Sequence, residues 1–349
     1  MAAIPLVRAN HFIPFVDFLN HIGSPTDRLL SQCHLASSSL EDPESLLPLY
    51  KSCEFVETAA HLEGIEILGI LVGQQTPIRN LGMLGQVLCN SLTLFDLLLT
   101  LEQILGMANS GFLFSLRWEK DWVWVQYHCE HSPHTTNQQT QYYSTALIIN
   151  ALLLALGKTW RPPELYLEGP PCRALLAMDE FSGVHIHFLS SQNRIKVPRS
   201  ALALPVNPAA ADDDLTLQPA WDAYRQTAQA QDFVGSLKQI IRALFPQGYP
   251  DIALAAEVAG TSKRKLQRQL AEADVSYSHL VERVRYEEAT KLLKQPELKL
   301  IEIASELGYT DAANFTRAFR RWAGMSPREF RQNQLKDIFI PMLAAESLY

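Results

Sequence analysis

The feature that most constrains this 349-residue chain is an internal repeat towards its C-terminal end. Ala256 and Gly260, in AAEVAGTSKRKLQRQL, recur 48 residues later as Ala304 and Gly308 in IASELGYTDAANFTRAF. Past the turn the offset becomes 49 and pairs Leu266 with Phe315, Arg268 with Arg317 and Leu270 with Phe319. Each copy reads as a short helix with an inward small residue, a glycine one turn on, and a second helix with a fresh start. Small residues let two helices cross closely, and glycine accepts the positive φ of a sharp turn. The repeat therefore predicts two helix-turn-helix units, each with a second helix able to enter a major groove. Ser262 is the expected N-cap of Lys263–Glu272, and Thr310 or Asp311 that of the second copy.

Leu266 and Leu270 are four residues apart and must face a core, which leaves Lys263, Arg264, Gln267 and Arg268 outward. Phe315 and Phe319 play the same part in the second copy, leaving Ala312, Ala313, Asn314, Thr316 and Arg317, with Arg320 and Arg321 following. Arginine pairs bidentately with guanine, glutamine or asparagine with adenine, and small apolar groups meet a thymine methyl. One such helix reads equally well as a basic solvated face. Two in tandem shift the balance to double-stranded DNA, and charge agrees. The net charge is −7, yet residues 234–349 hold 17 Lys and Arg against 14 Asp and Glu, while residues 1–233 hold 13 against 23.

A chain of this length predicts two domains. Pro205–Pro219, PVNPAAADDDLTLQP, has the proline and small-residue composition of a linker. Before it, helical spacing over Ser45–Leu62, Ser91–Gly106 and Gln139–Leu156 mixes with strand patterns over Phe112–Trp118, Trp122–His128, Glu164–Leu167, Val184–Phe188 and Asn193–Val197. An α+β domain followed by an all-α domain with two tandem helix-turn-helix units is the expected fold. The apolar runs Leu92–Leu101 and Ala146–Leu156 are too short for a membrane span, and no secretory signal is recognisable, so a cytoplasmic protein is expected. Five scattered cysteines without a Cys-x-x-Cys pair argue for reduced thiols.

The stretch Ile303-Ala-x-x-Leu-Gly-Tyr-x-Asp-x-x-Asn-Phe-x-Arg-Ala-Phe-Arg-Arg-Trp-x-Gly-x-Ser-Pro-x-x-Phe-Arg331, with Leu266-Gln-Arg268, Arg285 and Ala289, resembles the DNA-binding domain of the AraC/XylS transcriptional regulators. In that family a long helix, here Tyr277–Leu293, joins the two units so that both reading helices enter successive major grooves. One departure is Ala273-Asp274 where the family usually places glycine, which implies some strain at that helix end. Asn80–Ile104 and Ile186–Pro205 are similar to the arabinose-binding type of N-terminal domain. The resemblance implies residues 1–205 as an effector-binding and dimerisation domain, 206–220 as the linker, and 221–349 as the DNA-binding domain with its core at about 233–332. It implies a transcriptional activator with RNA polymerase as a partner, a small-molecule effector and a homodimer; the few charges in Phe112–His128 favour an apolar or amphipathic effector if one face of that hairpin lines its pocket. A regulator whose N-terminal domain only dimerises is the alternative, and a fused enzyme a further one.

The Phe112–His128 hairpin is apolar on both faces, which predicts either a sheet buried on both sides or one face lining a pocket. On the second reading Phe114, Trp118, Trp122 and Trp124 contact the ligand. His128-Cys129-x-His131-x-x-His134, with His185 and His187, invites a zinc reading, but no quartet must converge, and neither metal nor cofactor is expected. Cys129 beside His128 is the one nucleophile pair an enzyme reading has, and no catalytic motif accompanies it.

Overall fold

The computed structural model describes residues 2–130, 137–207, 221, 222, 224, 225 and 227–333. The chain divides into two compact units, Pro5–Ala230 and Met1–Ile4 with Gln231–Tyr349.

In the first unit the helices are α1 (Ile13–His21), α2 (Thr26–Gln32), α3 (Leu49–Glu63), α4 (Leu68–Gln75), α5 (Gly82–Cys89), α6 (Leu94–Ala108), α7 (Gln138–Leu156) and α8 (Arg173–Leu176). Strands β1 (Leu6–Arg8) and β2 (Leu46–Pro48) pair with each other. A second sheet contains β3 (Phe112–Trp118), β4 (Trp122–Cys129), β5 (Glu164–Tyr166), β6 (His185–His187) and β7 (Asn193–Pro198), in the order β3-β4-β7-β5-β6. Among the described strands, only β5 and β6 run parallel. Local chemistry accounts for several boundaries. Thr93 and Asp96 form a capping box that starts α6, each side chain bonding the other's backbone N–H. Helix α7 is buried along much of its length and lies against α4, and glycine makes this crossing possible: a Cβ on Gly69 would fall 1.9 Å from the carbonyl oxygen of Gln139.

The β3–β4 hairpin forms with Phe114 opposite Tyr127 and Leu116 opposite Val125. One sheet face, with Val123, Val125, Tyr127, Leu165, Ile195 and Val197, is buried in the core. The opposite face fits neither sequence expectation. There, Lys196 Nζ lies 4.6 Å from the Trp122 ring centre and 5.2 Å from that of Trp124, and the Arg194 guanidinium lies 4.2 Å from the Tyr166 ring. The aliphatic stems and charges of the cations cover these aromatic faces.

The second unit is helical: α9 (Phe233–Leu244), α10 (Ile252–Val258), α11 (Lys263–Glu272), α12 (Tyr277–Leu292), α13 (Leu300–Glu306) and α14 (Ala312–Ala323). Leu237, Ile240, Ile241, Val284, Ile303, Phe315 and Phe319 make its core. Most of the expected linker, residues 208–220, lies outside the described residues. The expected start of the C-terminal domain at 221 differs from the division seen here, in which the described residues 221, 222, 224, 225 and 227–230 fall in the first unit. The fully buried Arg8 accounts for this: its guanidinium donates to the Tyr224 carbonyl at 3.0 Å and stacks on the Tyr224 ring at 3.8 Å. Among the described residues, no helix is long and apolar enough to cross a membrane.

Candidate DNA-binding surface and effector cavity

Both helix-turn-helix units are built by the same devices. Asp251 caps α10 by accepting from Ala253 N–H and Leu254 N–H, both at 2.8 Å, and Gly260 turns the chain at φ +64°. Ser262 Oγ accepts from Lys265 N–H at 3.2 Å and starts α11. In the second unit Gly308 turns at φ +71°, and a Cβ there would lie 2.5 Å from the carbonyl oxygen of Gly248, so both conformation and space demand glycine. Of the two caps predicted for α14, Asp311 is the one used, accepting from Asn314 N–H at 2.7 Å.

The predicted reading residues fall where the periodicity puts them. Leu266, Leu270, Phe315 and Phe319 are buried, while Lys263, Arg264, Gln267, Arg268, Ala313, Arg317, Arg320 and Arg321 are exposed and Ala312, Asn314 and Thr316 half-buried. Their side chains differ in how far they are already engaged. Among the described residues, Lys263, Arg264 and Gln267 make no side-chain hydrogen bond or ion pair, and Arg268 has only a 3.7 Å contact to Glu272. On α14, Asn314 donates to Asp311 Oδ2 at 2.7 Å and accepts from Arg317, and Thr316 Oγ1 donates back to the Ala312 carbonyl at 2.7 Å. Arg321 pairs with Glu282 of α12.

The connector α12 is held by a buried cation. Arg285 donates to the Gly308 carbonyl at 3.2 Å and lies 4.2 Å from the Tyr309 ring, 5.1 Å from Tyr249 and 5.4 Å from Phe245. One side chain thus ties the connector to the segment before α10 and to the turn before α14. Helix α9 adds a clamp, with Lys238 2.9 Å from Glu287. Burial pushes the Glu287 carboxyl up, but Lys238 and Arg283 together hold it below its ordinary value.

In the Pro5–Ala230 unit a cavity of about 80 Å³ lies among α1, α3, α5, α6 and α7, and its lining includes Phe15, Val56, Leu84, Leu101, Tyr143 and Leu147. None of the four predicted ligand residues borders it; Phe112 is the hairpin residue that does. Phe114 packs half-buried on the core and Trp118 lies exposed with its ring 6.0 Å from Phe95. Trp122 and Trp124 belong to the cation-covered sheet face. Apart from Phe112 the hairpin aromatics are engaged elsewhere: Tyr127 bonds Thr145 of α7, Trp118 meets Phe95 of α6, and Trp122 and Trp124 lie under Lys196.

Sequence reasoning missed His11, which borders the cavity. Its Nε2 is buried without a hydrogen-bond partner, and burial, aided by the neighbouring charge of Arg8, pushes its pKa down to about 4. No periodicity or motif marks this residue. Among the described residues, no group of three His, Cys, Asp or Glu is placed to hold a metal; His131 and His134 lie outside them. His128 faces Glu168 at 2.8 Å, whereas Cys129 is buried on the other sheet face, its thiol pushed well up by Cys53 and by burial.

Comparison with known proteins matches two family profiles. The arabinose-binding domain of AraC transcription regulators matches residues 23–206, and a helix-turn-helix domain matches 255–333. The ornithine utilization regulator of Pseudomonas aeruginosa is 25% identical over 328 residues, covering 91% of this chain and 94% of its own. The transcriptional regulator VqsM of the same species is 32% identical over 130 residues, 36% of this chain and 39% of its own. The crystal structure of the regulator CdpR from Pseudomonas aeruginosa aligns over 93% of this chain and 98% of its own at 21% identity, with a TM-score of 0.39. These relatives are transcriptional regulators rather than enzymes, and the chain belongs to the AraC family of DNA-binding transcription regulators.

Proposed function

We propose that this regulator is a cytoplasmic activator that reads its operator through α11 and α14, recruits RNA polymerase, acts as a homodimer, and answers to a small effector bound within Pro5–Ala230. The observation that supports this most is the pairing of two capped reading helices, with exposed basic and amide side chains, on one connector held by the buried Arg285. Lys263, Arg264, Gln267 and Arg268 read bases or phosphates from the first helix. Ala312, Ala313, Asn314, Thr316 and Arg317 do so from the second, with Arg320 and Arg321 on the phosphates.

The cavity supports the effector reading over a purely dimerising arm, since it gives a small molecule a concave, mostly apolar site within the unit. The test is transcription in vitro from a promoter carrying an operator selected from random DNA, with purified RNA polymerase and with cell extract fractions as the effector source. Activation that depends on a small-molecule fraction is expected. Constitutive activation unaffected by any fraction would show that the N-terminal unit only dimerises, and repression would overturn the activator assignment.

A further inference from the structure

The start of α6 gathers apolar side chains that the fold leaves uncovered. Leu94, Leu97, Leu98 and Leu101 follow the helical repeat into the core, whereas Leu92, just before the N-cap, and Phe95 lie off that stripe and are 79% and 39% exposed. The segment after β7 runs alongside. Leu94 N–H and Phe95 N–H donate to the carbonyls of Leu204 and Leu202, both at 3.0 Å, and Val206 N–H donates to the Leu92 carbonyl at 3.1 Å. These bonds hold Leu204, 41% exposed, beside the helix start. Phe95 also meets the ring of Trp118, which ends β3 and is 44% exposed. Four large apolar side chains thus share one stretch of surface, where exposed apolar residues are ordinarily scattered singly. With about 150–250 Å² on each aromatic side chain, they supply the apolar centre, though not the whole, of the roughly 800 Å² that each partner gives to a stable interface.

The rim decides what can sit there. Arg117, Glu119, Lys120 and Asp121 flank Trp118 in the chain, and Arg199 joins them by donating its N–H to the Asp121 carbonyl at 2.9 Å. All five are exposed, and among the described residues none of their side chains makes an ion pair. A polyanion or an anionic lipid surface selects a rim of one sign, and this rim carries both. Residues 1–233 hold 13 Lys and Arg against 23 Asp and Glu, so two copies repel over much of this half of the chain. Across a two-fold axis a patch meets itself, and a mixed rim then sets cations of one copy against anions of the other. We propose that Leu92, Phe95, Trp118 and Leu204 form the centre of a two-fold contact between two copies of this chain, with Trp118 as its anchor. This contact rests on the reading of the protein as a homodimer and gives that dimer its surface.

Sedimentation equilibrium of the full-length protein over a wide concentration range tests the contact, with Leu92→Glu and Trp118→Glu in the patch and Leu113→Glu as control. Leu113 is 59% exposed and lies at the far end of β3 from Trp118, opposite His128, so it brings the same added charge outside the patch. The wild type is expected to dimerise. Leu92→Glu and Trp118→Glu should each weaken dimerisation by about tenfold or more, and together leave a monomer, while Leu113→Glu keeps the dimer. Circular dichroism should match the wild type throughout; should Trp118→Glu unfold, Leu92→Glu, at the more exposed position, carries the test. A dimer that withstands both patch variants, or that Leu113→Glu dissociates as strongly, overturns the surface and leaves the homodimer standing. A wild type that stays monomeric at every concentration overturns both. Loss of transcription in the patch variants of such a monomer, at unchanged operator affinity, would give the face to RNA polymerase instead.

Discussion

At the scale of single residues, His11 gives the clearest pH signature. The unfolded chain protonates this imidazole near its ordinary 6.5, while the folded protein resists protonation down to about 4 through burial and Arg8. Between those values the unfolded state carries the extra proton, so stability falls as pH is lowered through this window, by on the order of 1–3 kcal/mol. Melting curves from pH 7.5 to 4.5 should show a steeper loss of Tm for the wild type than for His11→Phe; parallel curves would contradict the assignment. Asp274 offers a second test. It stands at φ +55° after α11, where the family resemblance implies glycine, and Asp274→Gly should stabilise the protein by a few tenths to about 1 kcal/mol in denaturant unfolding. Removing the buried Arg285 guanidinium leaves the Gly308 carbonyl without that donor, so Arg285→Met should cost about 1–3 kcal/mol and weaken operator binding. The Asp274 strain and the Arg285 position are legible in sequence because they sit inside a motif. His11 is not, because its meaning comes from helices α3, α6 and α7, distant in sequence, that close around it.

At the scale of elements, the pattern of apolar residues carries most of the fold. The 48- and 49-residue offsets locate both helix-turn-helix units, and the strand patterns give all five strands of the larger sheet. What such patterns leave out is which face of an element meets which neighbour. The hairpin shows this: alternation marks two apolar faces, but only the pairing of β4 with β7 reveals that Lys196 and Arg194 cover one of them. The reading helices differ for a similar reason. On α11, Arg264 and Gln267 are unengaged, whereas Asn314 and Arg317 on α14 are bonded along their own helix and must break those contacts to reach a base. Helix α11 should therefore carry more of the sequence specificity. In a saturation scan of operator bases, Arg268→Ala should relax base choice in one half-site more than Arg317→Ala does, with good bidentate contacts worth about 1–3 kcal/mol each; the reverse order would refute this division. Ala312→Ser should change little.

At the scale of the whole molecule, the unit boundary sets where the chain can be cut. A fragment from Gln231 should fold alone and bind DNA with an affinity that drops steeply as salt is added, because its Lys and Arg contacts release counterions. An unfolded fragment by circular dichroism would refute its independence. For the other unit, ending the chain at 207 rather than 230 removes Tyr224 and Thr227 from the guanidinium of Arg8. The shorter fragment should be less stable by about 1–3 kcal/mol. The sequence suggests a linker at 206–220 by composition, but it cannot show that the chain returns to the N-terminal unit after it, because that return depends on one buried arginine at the opposite end of the polypeptide. The same arginine has a consequence in time. Arg8 and the Tyr224 carbonyl are 216 residues apart, so at a synthesis rate of roughly 5–20 residues per second Arg8 joins the chain some 10–40 s before its partner exists. The first strand to be made must wait for almost the last segment of its unit, and the N-terminal unit is completed only as the helix-turn-helix unit begins to be translated.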